Sequence, residues 1–360
     1  MKIAYLTPGY GRGSGVLGRH VQALASATAR AGARVEVLLY AGHGNHLPAD
    51  EEGISVRRFP SWIPAHDYAL SPELWSYLRH HAGDFDLVHA HGQRMLPAML
   101  LTEGDARHVI FTPHYYASAQ PHLRSLVQGR RHRLDHRVLS GAERVLCISK
   151  SEALQVRRYA PHAAVRIVPN GFDIEAIAGA EPFRVKRRMI LTVDRLTRWA
   201  GIHRIISALP ALGPSYAVVV AGTGRGRGML EAHADYLQVA DQVRFLGAVS
   251  DEVLHRWLRT ASVIATLKEE SLWGGTLLTA ACAGVPIIAS DIPANREATA
   301  QTSRDGIEFV SRRASPFAIA DAVRRLTAPG TGPRAEVVPS WENVGERTVS
   351  IYAELLRHEH

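Results

Sequence analysis

Short apolar runs recur along the chain, each followed by a polar or glycine-rich turn and most by an amphipathic segment. Residues 2–7, 35–39, 87–90, 109–112, 144–148 and 165–168 carry such runs, and 55–58, more polar, is read as a further strand between them. They are too short for core helices and rich in Val, Ile and Leu, so they read as strands with both faces covered. Helical spacing fills most of the gaps: 19–31 repeats its apolar positions every three or four residues and is stopped by Gly32. This alternation predicts a doubly wound α/β domain. A second series begins after Asp173, where 178–188 is polar and charged like a linker, and 189–193, 217–221, 242–246, 262–265 and 286–290 are the strands beyond it. No short repeat of fixed period is present, which argues against a solenoid. The predicted architecture is two Rossmann-like domains, 1–174 and 175–340. The last helix, within 341–360, has no strand after it and is expected to pack back on the first domain.

The stretch 266–297, TLKEESLWGGTLLTAACAGVPIIASDIPANRE, concentrates the candidate chemistry. It reads as a strand end, an acidic loop, a small-residue helix opened by Gly274-Gly275 and stopped by Gly284-Val285-Pro286, a buried strand, and a loop ending in Glu297. Helix N-termini in parallel sheets present N–H groups at the carboxyl edge, where anions and polar ligands bind.

Composition narrows the class. A chain of 360 residues with 46% apolar content can bury two cores. It has no apolar run near the roughly 20 residues of a membrane span. MKIAYLTPG reads as a first strand and not a signal peptide, so a soluble, cytoplasmic protein is expected. Cys147 and Cys282 read as reduced core residues. The net charge of +8 rests on arginine, since only Lys2, Lys150, Lys186 and Lys268 are lysines among 42 basic residues. A genome rich in G and C produces the same bias, and no motif interleaves the arginines with stacking aromatics, so no nucleic-acid partner is expected. The run 123–137, LRSLVQGRRHRLDHR, offers a surface for weak membrane or acidic-partner contact, with a solvated helix as the default reading.

Gly13-Ser14-Gly15-Val16-Leu17-Gly18 is a formal GxGxxG, but it begins well beyond the first strand. The second strand ends Leu38-Leu39-Tyr40-Ala41, with no carboxylate for a ribose. A loop that approaches a phosphate or sugar fits better than a nicotinamide site. Asp86-Leu87-Val88-His89-Ala90-His91-Gly92 and Phe111-Thr112-Pro113-His114-Tyr115 place histidines at strand ends. His114 stands out by position, while His89 and His91 show no third ligand nearby in sequence, so no metal site is expected. In the second half, Val193-Asp194-Arg195-Leu196 with Arg198 closes one strand, and Gly222-Thr223-Gly224-Arg225-Gly226-Arg227-Gly228 follows another. Arginines on glycine-rich turns suit phosphate oxygens, because glycine lets the backbone approach and guanidinium binds two oxygens at once.

Val168-Pro169-Asn170-Gly171-Phe172-Asp173, Val193-Asp194-Arg195-Leu196 and the 266–297 stretch together resemble the retaining glycosyltransferases of family 4. The resemblance follows family order through the N-terminal glycine loop, His89-Ala90-His91, Cys147-Ile148-Ser149-Lys150-Ser151 and the Trp341 helix. It implies a GT-B fold, two Rossmann-like domains facing a central cleft, with an acceptor site mainly on the first and a nucleotide-sugar site mainly on the second. It also implies transfer with retention and no bound metal or cofactor, the nucleotide-diphosphate sugar serving as co-substrate. Carried over by position, His114 lies near the transferred sugar, Arg195 at the diphosphate and Glu270 beside the sugar hydroxyls. Gly15, Arg198, Gly222, Gly224, Arg225, Gly274, Gly275, Thr276, Thr279 and Glu297 complete the expected donor site. Four positions depart from the pattern, the first being Gly15, whose glycine pair is broken by Ser14 before it and Val16 after it. Ala200 stands where the family has lysine, Thr279 where it has its second glutamate, and Glu270 matches the first glutamate only if the loop holds one extra residue. Arg198, Arg225 or Arg227 is the expected substitute cation. Arg195, Glu270, Glu297 and His114 favour transfer to a small-molecule or glycan acceptor. Ala200 and Thr279 favour a silent GT-B protein that binds or stabilises a partner enzyme.

Overall fold

The computed structural model describes residues 1–11, 15–40, 53–61, 71–92, 108–114, 135–271, 273–300, 305–328 and 338–357. The chain divides into two compact units, one of Met1–Gly171 with Pro339–His360 and one of Phe172–Val338.

The first unit holds strands β1 (Lys2–Thr7), β2 (Arg34–Leu39), β3 (Ile54–Arg58), β4 (Leu87–His91), β5 (Val109–Thr112), β6 (Arg144–Cys147) and β7 (Val165–Ile167). They form one sheet in the order β3-β2-β1-β4-β5-β6-β7, every pair parallel. The order reverses between β1 and β4, where Ile3 is in register with Val35 on one side and Leu87 on the other. At such a switch point the crossovers leave toward opposite faces, and the carboxyl ends stay open to ligand. The helix Gly15–Arg30 packs on this sheet. Its first residue has φ +70°, a left-handed conformation that glycine adopts without cost. The helix Trp341–Arg357 belongs to this unit and lies on the helix Gly15–Arg30. Their approach needs Gly345, where a Cβ would meet the Ala27 backbone at 2.7 Å.

The second unit holds β8 (Arg188–Val193), β9 (Tyr216–Ala221), β10 (Val243–Gly247), β11 (Val263–Thr266), β12 (Ile287–Ser290) and β13 (Ile307–Val310), in the order β10-β9-β8-β11-β12-β13, again all parallel. Its switch point lies between β8 and β11. Strand β13 is not among the strands expected from the pattern; it pairs in parallel with β12 at the edge of the sheet. Residues 293–299 form a helix where a loop was expected. Pro293 suits its first turn, and Ala294 and Ala298 pack inward, which puts Glu297 near its end. Both cysteines are free; burial pushes the Cys282 thiol up to about 11 and Cys147 further, so neither is a reactive thiolate. No described helix is long and apolar enough to cross a membrane.

Candidate active site

Two turns leave the carboxyl edge of the second sheet, one after β8 and one after β9, and they are zipped together. Asp194 N donates to Ala221 O at 3.1 Å, Leu196 N to Thr223 O at 3.0 Å and Gly226 N to Leu196 O at 2.8 Å. Glycine is what allows it. A Cβ on Gly222 would lie 1.9 Å from the Asp194 carbonyl oxygen, and one on Gly224 2.4 Å from that of Leu196. The packing sets Arg195 and Arg225 on adjacent turns, both exposed. Among the described residues neither guanidinium has a hydrogen-bond or ion-pair partner; the Arg195 backbone N–H donates to Asp194 Oδ1 at 2.8 Å. The other two expected cations are engaged, Arg198 over the Trp199 ring at 4.3 Å and Arg227 with Glu231 at 2.8 Å.

The loop after β11 runs beside these turns. Glu269 N donates to Trp199 O at 3.1 Å, and a Cβ on Gly201, whose φ is +69°, would sit 1.9 Å from Leu267 O. This close approach places Lys268 so that its ammonium lies 3.0 Å from Asp194 Oδ2, half-buried at the same edge. Ala200 instead faces the core, 6% exposed among Leu196, Ile202 and Ile205. Sequence reasoning missed Lys268. The one available signal was that it is one of only four lysines among 42 basic residues.

The helix Gly275–Cys282 opens on Gly274 with no side-chain cap, and among the described residues the N–H groups of Gly275 and Thr276 have no partner. Uncapped first-turn donors are an anion site in waiting. Both glycines serve packing, since a Cβ on Gly274 would meet Ala298 Cβ at 2.3 Å and one on Gly275 the Trp273 ring at 2.2 Å. Thr279 donates its hydroxyl to Gly275 O at 2.9 Å. Glu270 is exposed, whereas Glu269 is half-buried and acts electrostatically on His203 and Arg204.

In the first unit, the ends of β4 and β5 and the helix Gly15–Arg30 bring histidines together that are far apart in sequence. His91 Nδ1 lies 3.3 Å from His114 Nε2, and the His20 ring meets the His114 ring edge-on at 4.4 Å. His89 is pinned between Tyr352 Oη at 2.6 Å and Thr112 Oγ1 at 2.8 Å, and its ring lies 3.9 Å from that of His91. His114 has φ +48°, a conformation that costs a non-glycine residue on the order of 1 kcal/mol and marks positions the surroundings hold in place. The expectation that His91 lacks further ligands held only along the sequence. In space, His20, His91 and His114 each offer a ligand atom, all within 4.8 Å of one another.

Burial keeps these rings neutral. Desolvation lowers His20 to about 4, opposed by the neighbouring Asn170 side chain, and carries His89, His91 and His114 well below the ordinary imidazole range. The unfolded chain therefore binds more protons as pH falls below about 6.5, and their stabilising contribution is present above that pH and lost on the way down through the folded values. His20 alone contributes on the order of 3 kcal/mol to this loss. Thermal melts at pH 7.5, 6 and 5 are expected to show the first unit destabilised at each step, and a flat profile would mean the rings are solvated.

Residues 12–14, 62–70 and 115–134, which include the start of the Gly13–Gly18 motif and most of the basic run 123–137, lie outside the described residues.

Residues 17–176 match the model for Glycosyltransferase Family 4, and residues 173–331 match that for Glycosyl transferases group 1. The chain belongs to the family-4 glycosyltransferases. It is 25% identical to a D-inositol 3-phosphate glycosyltransferase of Corynebacterium urealyticum, over 86% of this chain and 80% of that protein. It is 26% identical to a glycogen synthase of Mycobacterium tuberculosis, over 96% and 92%. Among solved structures, a sucrose-phosphate synthase from Thermosynechococcus elongatus shares the fold with a TM-score of 0.79 at 19% identity, covering 99% of this chain and 100% of that one. Anabaena HepE in complex with UDP and glucose does so with a TM-score of 0.71 at 16% identity, covering 99% of each. These are GT-B glycosyltransferase folds, and the two parallel sheets of this glycosyltransferase follow the same α/β plan. Of the residues carried over by resemblance, Arg195, Arg198, Gly222, Gly224, Arg225, Glu270, Gly274, Gly275, Thr276, Thr279 and Glu297 all fall in the second unit, and Gly15 and His114 in the first.

Proposed function

We propose that this glycosyltransferase is a retaining, metal-independent enzyme that moves a sugar from a nucleotide-diphosphate sugar to a small-molecule or glycan acceptor. The observation that carries the reading is the second unit's pair of zipped turns, with Arg195 and Arg225, unpaired among the described residues, at the same sheet edge as the half-buried Lys268. The uncapped start of the helix Gly275–Cys282 adds donors at the same sheet edge. Charge grows on the leaving diphosphate as the glycosidic bond breaks, so fixed cations and aligned N–H groups stabilise the transition state more than the ground state. Lys268 takes the part that lysine at position 200 plays elsewhere in the family, with Asp194 holding its ammonium in place. The departing phosphate oxygen then takes the acceptor's proton on the face it leaves, which retains configuration. His114, neutral and held by its neighbours, contacts the transferred sugar, and Glu270 receives its hydroxyls. HepE, crystallised with UDP and glucose, has the same fold and supports the donor class.

Calorimetric titration with UDP, GDP and ADP and their glucose or mannose conjugates tests this before any acceptor is known. One nucleotide is expected to bind with one-to-one stoichiometry and to lose affinity as salt rises, as charge-assisted phosphate contacts require. No heat with any of the panel would remove the donor assignment.

A further inference from the structure

We infer that His20, His91 and His114 form a binding site for one borderline divalent cation of the zinc type. Three features converge on it. The set is all imidazole, with no carboxylate among the three, and neutral nitrogen donors suit zinc, cobalt or nickel ions, not magnesium or calcium. The spacing fits: tetrahedral ligands about 2.0–2.1 Å from zinc stand about 3.3 Å apart, and His91 Nδ1 is 3.3 Å from His114 Nε2. His20 closes the remaining gap by a small swing, since all three ligand atoms already lie within 4.8 Å of one another. The third feature is unmet bonding capacity. Among the described residues, His20 Nδ1 and Asn170 Oδ1 are buried without a hydrogen bond of good geometry, although the two side chains interact; His91 Nε2 is also unpaired, but it is not the ring nitrogen that faces His114. Buried polar atoms are nearly always paired, so orphans gathered around one cluster point to a missing ligand.

The surroundings supply what a metal site needs beyond its ligands. His91 is held against the ring of His89, which Tyr352 and Thr112 fix from both sides, so its orientation is set before the ion arrives. The Asn170 side chain, which interacts with His20, stands beside the set. Occupancy takes up His114 and so inhibits transfer. That consequence rests on the transferase reading above; the binding itself does not.

The test uses the full chain, stripped with EDTA and titrated with Co2+ under anaerobic conditions. One equivalent is expected to give the intense visible ligand-field bands of a tetrahedral nitrogen site, without the near-ultraviolet bands of a thiolate ligand, and Zn2+ is expected to bleach them. His20→Ala and His91→Ala should each weaken binding by at least about 100-fold, since losing a direct ligand costs no less than losing its supporting partner, with circular dichroism reporting whether each variant folds. If His91→Ala does not fold, His20→Ala alone decides. A spectrum unchanged in His20→Ala, weak octahedral bands only, or no change at stoichiometric Co2+ would overturn the site. Zn2+ inhibition of transfer that persists in His20→Ala would overturn the inhibitory role while leaving the nucleotide titration untouched.

Discussion

Arg195→Ala is expected to lower kcat/KM by about 100-fold to 1000-fold, the loss typical of removing one charged donor from a developing oxyanion. Stability should stay within about 0.5 kcal/mol of the parent, because the side chain is exposed and no described residue holds it. Steady-state transfer together with a thermal melt separates the two effects, and unchanged turnover would take Arg195 out of the diphosphate role. Lys268→Ala should produce a loss of the same kind, accompanied by weaker nucleotide binding, with Lys268→Arg restoring part of it. The converse substitution, Ala200→Lys, is a poorer test than the family pattern suggests. Ala200 packs in the core, so a lysine there must displace apolar neighbours before its charge reaches the edge.

Gly222→Ala should be the most damaging small change in the second unit. Its φ of +141° disfavours any side chain, and the new Cβ would start 1.9 Å from the Asp194 carbonyl oxygen. The turns after β8 and β9 would have to part, breaking the contact that sets Arg195 beside Arg225. A loss of about 3 kcal/mol or more is expected in urea unfolding, with nucleotide affinity falling alongside. Gly228→Ala is the matched control. It lies in the helix Arg227–Tyr236 and its Cβ would meet nothing within 4 Å, so the change should be neutral or stabilising by about 0.5–1 kcal/mol. Equal damage from both substitutions would show that the zipped turns are not what Gly222 protects.

The strand pattern was legible in the sequence to a degree that follows from burial. The central strands of both units appear as short apolar runs, because a strand covered on both faces must be apolar along its length, while the edge strands β3, β7 and β10 mix apolar with charged positions. Strand β13, IEFV, carries no more charge than the VRIV run read as a strand at 165–168 but was not read from the pattern, and its pairing with β12 shows it. Helix starts were less visible. Gly15 opens its helix through a left-handed conformation that no periodicity announces, and the helix Pro293–Thr299 is too short for a period to emerge.

The candidate site divides along the same line. Residue types and their place at strand ends marked Arg195, Arg225, His114 and the Gly274-Gly275 helix start from sequence alone, because ligands meet α/β sheets at that edge whatever the rest of the fold does. Lys268 and the histidine set were hidden, since each depends on backbone segments distant in the chain coming close in space. Leu267 has to press on Gly201 before Lys268 can reach Asp194. Likewise, a helix, two strand ends and Asn170 have to converge before His20, His91 and His114 become one cluster. Apolar periodicity thus determined the layers and the edge where chemistry belongs. Which side chains share that edge was decided only by tertiary packing, because contact between distant residues leaves no trace in local composition.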